Sequence, residues 1–374
     1  MLNARATQAT ELMTDFAERT GVRGDHPQRR YLWTDAFAVC NFLALGRDDL
    51  ARHLVERVHH TLGRFRDDDA RIGWISGLDG ADGEAHPTRG GLRIGKPLCE
   101  RGANDPFSEQ LEWERDGQYF HYLTKWMHAL DVLARAGGRG DFDRWATELA
   151  IAAHRGFVYD AGGQKRMYWK MSTDLTRPLV ASMGHHDPLD GFITAVQLAD
   201  VPAAIVRDYR AMLDIDNLAT ADPLGLGGLL VDACRVHQLV AQGTWLPDID
   251  LLEPLLDAAL LGLRHYLAAA ELDGAAHRRL AFRELGLAIG LAGIELVQRT
   301  VTRLAPSTTF KLAQLAKFFP LRERIEEFWL RPESRRSRTW LEHADINEVM
   351  LATSLVPSGF IVLPARARAK AIAR

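Results

Sequence analysis

Along most of the chain apolar residues recur three and four positions apart, the spacing of one helix face, and alternating β-branched runs are scarce. The predicted helices are of two kinds. One kind has a charged face and reads as half-solvated: 6–19, 50–64, 143–159, 203–213, 251–270 and 312–330. The other is rich in Ala, Gly, Leu and aromatic residues and poor in charge: 33–45, 117–136, 189–198, 226–240, 284–297 and 347–355. A helix that is apolar nearly all round has to be covered on every side. The two kinds alternate along the chain, outer then inner, with a repeat of about 50–80 residues and no shared consensus.

Such hairpins, each with one wet and one buried helix, predict an all-α (α/α)6 toroid: a single domain over 1–374 with an inner and an outer ring. The competing architecture is an open solenoid of helix pairs. Solenoids normally keep a constant repeat of about 20–45 residues, so the unequal units favour the closed ring. The longest irregular segment, about 66–113, is Gly-rich yet carries Trp74, Ile75, Leu78, Leu92 and Ile94, which can pack. A connection of that length is usually functional when ordered, and it is expected to cover or wall one mouth of the ring. The Arg-rich stretch 366–374 reads as a short disordered tail.

Composition narrows the function classes. At 47 % hydrophobic and 25 % charged, the chain is that of a globular protein. With 46 Lys+Arg against 49 Asp+Glu, the net charge of −3 lacks the basic excess of a nucleic-acid binder. No window reaches about 18 uninterrupted apolar residues, so no membrane span is expected. The acidic start (Glu11, Asp15, Glu18) shows no signal peptide, so the expected location is the cytoplasm. Cys40, Cys99 and Cys234 are far apart and read as reduced thiols.

Candidate chemistry clusters where the inner helices begin. Trp33-Thr34-Asp35 opens the first; Glu112, Trp113, Asp116 and Tyr119, followed by His121, open the second. Gly184-His185-His186-Asp187-Pro188-Leu189-Asp190 opens the third, Asp222-Pro223 the fourth, Glu284 the fifth, and His343 with Asp345 the sixth. Acids at helix starts also serve as caps and suit the helix dipole, which accounts well for Asp222 and Asp345. Capping explains neither Trp beside acid nor a His pair. Such a mouth suits sugar chemistry. Glycosidic cleavage needs an acid and a second carboxylate, epimerisation needs groups that move protons near neutral pH, and aromatic faces stack on sugar rings. Trp169 and Tyr168 are further aromatic candidates. No HExxH motif or matched ligand cluster is present, so neither a metal nor a prosthetic group is expected.

The tract Arg30-Tyr31-Leu32-Trp33-Thr34-Asp35-Ala36-Phe37-Ala38-Val39, with the hairpin count, resembles the six-hairpin glycosidase superfamily, closest to the unsaturated glucuronyl and rhamnogalacturonyl hydrolases. Those enzymes carry a Trp-x-Asp-small-aromatic tract whose Asp is the general acid/base, so the resemblance implies that role for Asp35. Arg71-Ile72-Gly73-Trp74 is loosely similar to their Thr-Gly-Leu-Trp turn, and Arg115-Asp116-Gly117-Gln118-Tyr119 to their Arg-Gly-Asn-Gly-Trp tract. The Gly184–Asp190 segment lies outside that pattern. The N-acylglucosamine 2-epimerases share the toroid and use histidines, but their motifs do not align here.

The expectation is therefore a carbohydrate-active enzyme acting on a small saccharide, with a glycoside hydrolase first. Asp35, Glu112, Asp116, His185, His186 and Asp187 are the expected catalytic groups. Trp33, Trp74, Trp113, Tyr119, His121, Asp190, Glu284 and His343 are expected to bind substrate. A sugar epimerase using the paired His is the alternative enzyme, and a non-catalytic helical ligand-binding scaffold is the alternative class. A mouth lined by carboxylates and His favours an enzyme; one plugged by Leu, Phe or Met favours a scaffold.

Overall fold

A computed structural model describes residues 2–137, 141–244, 250–301 and 305–366. The chain is predominantly helical. Its first helices are α1 (Leu2–Arg19), α2 (Leu32–Ala44), α3 (Asp48–Leu62), α4 (Phe120–Arg135), α5 (Phe142–Phe157), α6 (Asp187–Gln197) and α7 (Ala203–Ala211). The chain continues through α8 (Pro223–Ala241), α9 (Leu252–Ala269), α10 (Ala281–Thr300), α11 (Pro306–Ala316), α12 (Phe319–Leu330), α13 (Ala344–Leu355) and the short α14 (Ser358–Ile361). The expected outer helix over 312–330 is broken in two, because Pro320 lacks the N–H a continuous helix would use and so sits in a first turn.

The apolar helices pack in a cyclic order: α2 on α4, α4 on α6, α6 on α8, α8 on α10, α10 on α13, and α13 back on α2. Burial explains their composition. In α2 every side chain from Leu32 to Phe42 is buried. The charged helices lie against this set: α1 on α13, α3 on α2, α5 on α4, α7 on α6, α9 on α8, and α12 on α10. The α8–α10 seam is the closest. A Cβ on Gly227 would lie 2.1 Å from the Gly286 carbonyl oxygen, and one on Gly290 2.6 Å from that of Gly227, so only glycine lets these backbones meet. By length and composition α8 passes as a membrane span, yet 61 % of that window is buried inside the fold.

One end of the helix set is filled by the chain itself. After α13 the chain turns through α14, which packs on α2, α4, α8 and α10. There Phe360 stacks on Phe37, ring centroids 4.2 Å apart. Arg366 then ion-pairs with Asp131 and Asp143; the rest of the expected tail, 367–374, lies outside the described residues.

Two connections cover the opposite end. The segment between α3 and α4 holds short helices Gly80–Ala85 and Glu109–Glu114, with Leu92 and Ile94 fully buried. The segment between α5 and α6 adds short strands. β1 (Gln118–Tyr119) pairs with β4 (Lys170–Met171), which pairs with β5 (Pro178–Val180); β2 (Val158–Asp160) and β3 (Lys165–Met167) form a separate hairpin. All pairings are antiparallel, with Tyr119 opposite Lys170. That register brings Trp169 to the start of α4. His59, which as a late residue of an outer helix would be expected in solvent, is instead buried and accepts from Trp126 Nε1 at 3.0 Å.

Candidate active site

The first turns of α2, α4 and α6 meet. Trp33, the second residue of α2, lies with its ring 6.0 Å from that of His121 and 5.4 Å from that of Tyr122. Tyr119 and Trp169 complete an aromatic wall: Trp169 runs nearly parallel to the His121 imidazole (13° at 6.1 Å) and lies 5.1 Å from Tyr119. Tyr31 joins through its hydroxyl, 2.5 Å from that of Tyr122. Trp113, half-exposed, extends the wall outward, its ring edge-on to Trp169 at 5.4 Å.

Asp187, the first residue of α6, faces this wall. Its Oδ1 lies 4.0 Å from His121 Nδ1. Its Oδ2 is buried and has no hydrogen-bond partner, and the same is true of Trp33 Nε1. Buried polar groups are nearly always paired, so each of these orphans is unusual. Burial, reinforced by the Asp190 charge, pushes the Asp187 carboxyl up to about 7. Burial, reinforced by the Lys125 charge, pushes the His121 imidazole down to about 4. Both groups are therefore able to be uncharged near neutral pH, the condition for exchanging protons with a neutral substrate.

Beneath them lies a buried ionic network. Asp190 Oδ2 accepts from Lys125 Nζ at 2.6 Å and from the Thr124 hydroxyl, and Oδ1 accepts from Arg235 Nη1 at 3.2 Å. Burial opposes ionisation of Asp190, but Lys125 and Arg235 outweigh it and hold the group well below the usual carboxylate range. Arg235 also donates to Asp232 at 3.0 Å, to Thr194 at 2.9 Å and to Gln197 at 2.9 Å. Burial and the Asp190 charge push Asp232 up to about 6. Lys125, Asp232 and Arg235 edge a narrow axial cavity of about 40 Å³, floored by Phe37, Met350 and Phe360. By the usual yardstick of about 10–15 Å³ of such volume per water, it admits a few waters and no sugar. The space between these helices is thus narrowed by apolar side chains on one side, with the charged groups on the other.

The other expected site residues are engaged elsewhere. Asp35, two positions along α2 from Trp33 and hence on another face, accepts from the Tyr31 N–H at 3.1 Å and from Arg30 at 3.3 Å. Burial raises it to about 6, against the pull of Arg30. Glu112 is buried between Lys170 (2.9 Å) and Arg101 (3.0 Å). Asp116 is fully buried, accepting from Arg93 at 2.6 Å and the Gly95 N–H at 3.0 Å. His185 and His186 bond the Asn217 and Leu218 carbonyl oxygens at 2.5 and 2.8 Å, which ties the start of α6 to the 215–218 turn. Burial lowers His186 to about 4. Trp74 packs over Gly83 with the Arg64 guanidinium 5.2 Å from its ring. Glu284 accepts from Arg279 at 2.6 and 2.8 Å and from Trp329 Nε1 at 2.8 Å. His343 precedes α13 with its ring edge-on to Phe282.

Of the expected residues, then, the structure unites Trp33, Trp113, Tyr119, His121, Asp187 and Asp190. Sequence reasoning missed Lys125, Asp232 and Arg235, and with them Tyr31 and Tyr122. The signal was present: isolated charges inside helices otherwise nearly free of them, with Asp232 and Arg235 one turn apart. Among the described residues no group of three or more His, Cys, Asp or Glu is arranged to hold a metal.

No protein-family model matches the chain, and no curated protein does. Among solved structures, a crystal structure of a sugar epimerase from a ruminal bacterium is similar to it with a TM-score of 0.51, covering 95 % of this chain and 98 % of that one at 12 % identity. At that identity the likeness is one of fold.

Proposed function

We propose that the chain is a single-domain (α/α)6 toroid, the cyclic helix order being its inner ring, and that it is a sugar epimerase or isomerase working through the Asp187–His121 pair. The observation that carries this reading is the buried Asp187 carboxyl facing the His121 imidazole at 4.0 Å, with the Trp33, Tyr119 and Trp169 rings around that imidazole. Asp187 Oδ2 and Trp33 Nε1 are each buried without a partner, and hydroxyls of a bound sugar would supply one to each. The ring faces of Trp169 and Tyr119 suit the apolar C–H face of a pyranose.

Asp187 Oδ1 facing His121 Nδ1 makes a relay. With the proton on Asp187 and the imidazole neutral, His121 Nε2 is free to take a proton from the carbon next to the carbonyl of an open-chain sugar. Asp187 gives its proton to the carbonyl oxygen as the carbon is deprotonated, and the carboxylate so formed supports the imidazolium. If the enediol turns its other face to His121 before the imidazolium returns the proton and Asp187 takes back its own, the epimer forms with nothing added or lost. Lys125 and Arg235 fix Asp190 as an anion, and burial together with that anion raises the proton affinity of Asp187.

The second reading is glycoside hydrolysis. It is favoured by carboxyls whose environments separate their proton affinities, Asp187 and Asp232 raised and Asp190 lowered. It stands second because Asp190 and Asp232 are both held by Arg235, so neither is free to attack or to activate water. In both readings Asp35, Glu112, Asp116 and Glu284 are structural acids, and His185 and His186 are positioning residues. Thermal-shift titration against monosaccharides, uronates and short oligosaccharides, followed by product analysis, tests the reading. A saccharide-dependent rise in Tm that is lost in Asp187→Asn and weakened in Trp33→Phe supports it. Release of reducing ends with no epimer selects hydrolysis, and sugar binding unaffected by both substitutions contradicts the site.

A further inference from the structure

Outside the ring, a second cavity of about 590 Å³ opens between the end of α1, the entry to α2, the 95–97 turn and the start of α13. That volume falls within the usual range for small-molecule sites, about 300–1,000 Å³. Arg30, part of its lining, is almost wholly buried: Nη1 bonds Asp35 at 3.3 Å, Nη2 bonds the Thr20 carbonyl oxygen at 2.6 Å, and Nε is buried without a partner. Lys96 lies with Nζ 5.2 Å from the Tyr31 ring centroid, and among the described residues no carboxylate pairs with it. Arg29 is 58 % exposed and only 3.6 Å from Asp345, a carboxylate already held by Arg19 at 2.8 Å. Among the described residues, Lys96 thus lines the groove without an ionic partner, and Arg29, which donates to the Arg19 carbonyl oxygen at 3.4 Å, has only a 3.6 Å contact with a carboxylate. Glu114 stands exposed at its edge, as does Glu342, which pairs with Arg338 at 2.6 Å, and their charge disfavours ligands of higher negative charge.

We infer that this groove is a second binding site, independent of the sugar site, for a small molecule bearing a single carboxylate. The carboxylate pairs with Lys96 and Arg29, and the buried Arg30 guanidinium beside them adds positive charge to the groove. Charge-assisted donors on a planar anion suit this set, and the edge glutamates set the preference for a single negative charge. Tyr31 is the wall between the two sites: Lys96 covers its ring, while its hydroxyl meets Tyr122 at the sugar site.

The test is calorimetric and thermal-shift titration of the full chain with lactate, gluconate and glucuronate. Succinate, inorganic phosphate and chloride at matched ionic strength serve as comparators. Saturable binding of at least one monocarboxylate is expected, about tenfold weaker in Lys96→Gln and in the exposed-site variant Arg29→Gln. Binding retained in Asp187→Asn separates this site from the sugar site. No saturable binding beyond chloride, binding unchanged in both variants, or preference for succinate or phosphate over every monocarboxylate overturns the assignment.

Discussion

Asp187 and His121 leave their ordinary proton affinities in opposite directions, and each leaves a signature in stability. Asp187 goes from 3.8 to about 7 on folding. Between those values the native state holds a proton the unfolded chain has lost, so its contribution falls as pH rises from about 4 to 7. Asp187→Asn removes that slope. The variant is expected to be more stable than the parent at pH 8, by up to about 4 kcal/mol at 1.36 kcal/mol per unit, and to match it near pH 4. His121 goes from 6.5 to about 4; its contribution is present above 6.5 and lost as pH falls toward 4, so His121→Gln flattens the acid side. Urea unfolding of both variants at pH 4.5, 6 and 8 checks the two signs. Equal slopes in parent and Asp187→Asn would show that this carboxyl is solvated in the native protein.

Among the elements, the α8–α10 seam and the α14 plug are the places where one side chain decides the packing. Gly227→Ala puts a methyl group against the Gly286 carbonyl and is expected to cost about 1–3 kcal/mol. Phe360→Ala removes a ring stacked on Phe37; a loss of about 3–5 kcal/mol is expected, with a larger axial cavity. Chemical denaturation measures both. The buried helices were legible because a helix covered all round carries little charge: α2 holds Asp35 alone among its 13 residues. The break between α11 and α12 was signalled by Pro320 but masked by the apolar rhythm on either side. β1, β4 and β5 have two or three residues each, too short for any period-two pattern to register, although they carry Trp169 to His121.

For the molecule as a whole, alternation of wet and buried helices conveyed the cyclic order, while the chemistry was legible only in part. Helix starts drew attention to Trp33, His121, Asp187 and Asp190, which the fold brings together. The same heuristic gave equal weight to Asp35, Glu112, Asp116 and Glu284, whose partners Arg30, Lys170, Arg93 and Arg279 are fixed by tertiary contacts no local pattern displays. Nor does the sequence reveal that Phe360 returns to narrow the space between the buried helices. The central claim is that the Asp187–His121 pair moves a proton on and off a sugar carbon. Incubation with aldoses and short oligosaccharides in D₂O, read by NMR for deuterium at the carbon next to the carbonyl, tests it most directly. The account predicts exchange by the parent, reduced about 10²–10⁴-fold in His121→Gln and strongly in Asp187→Asn; exchange undiminished in both variants, or hydrolysis of a glycoside with no exchange, would contradict it.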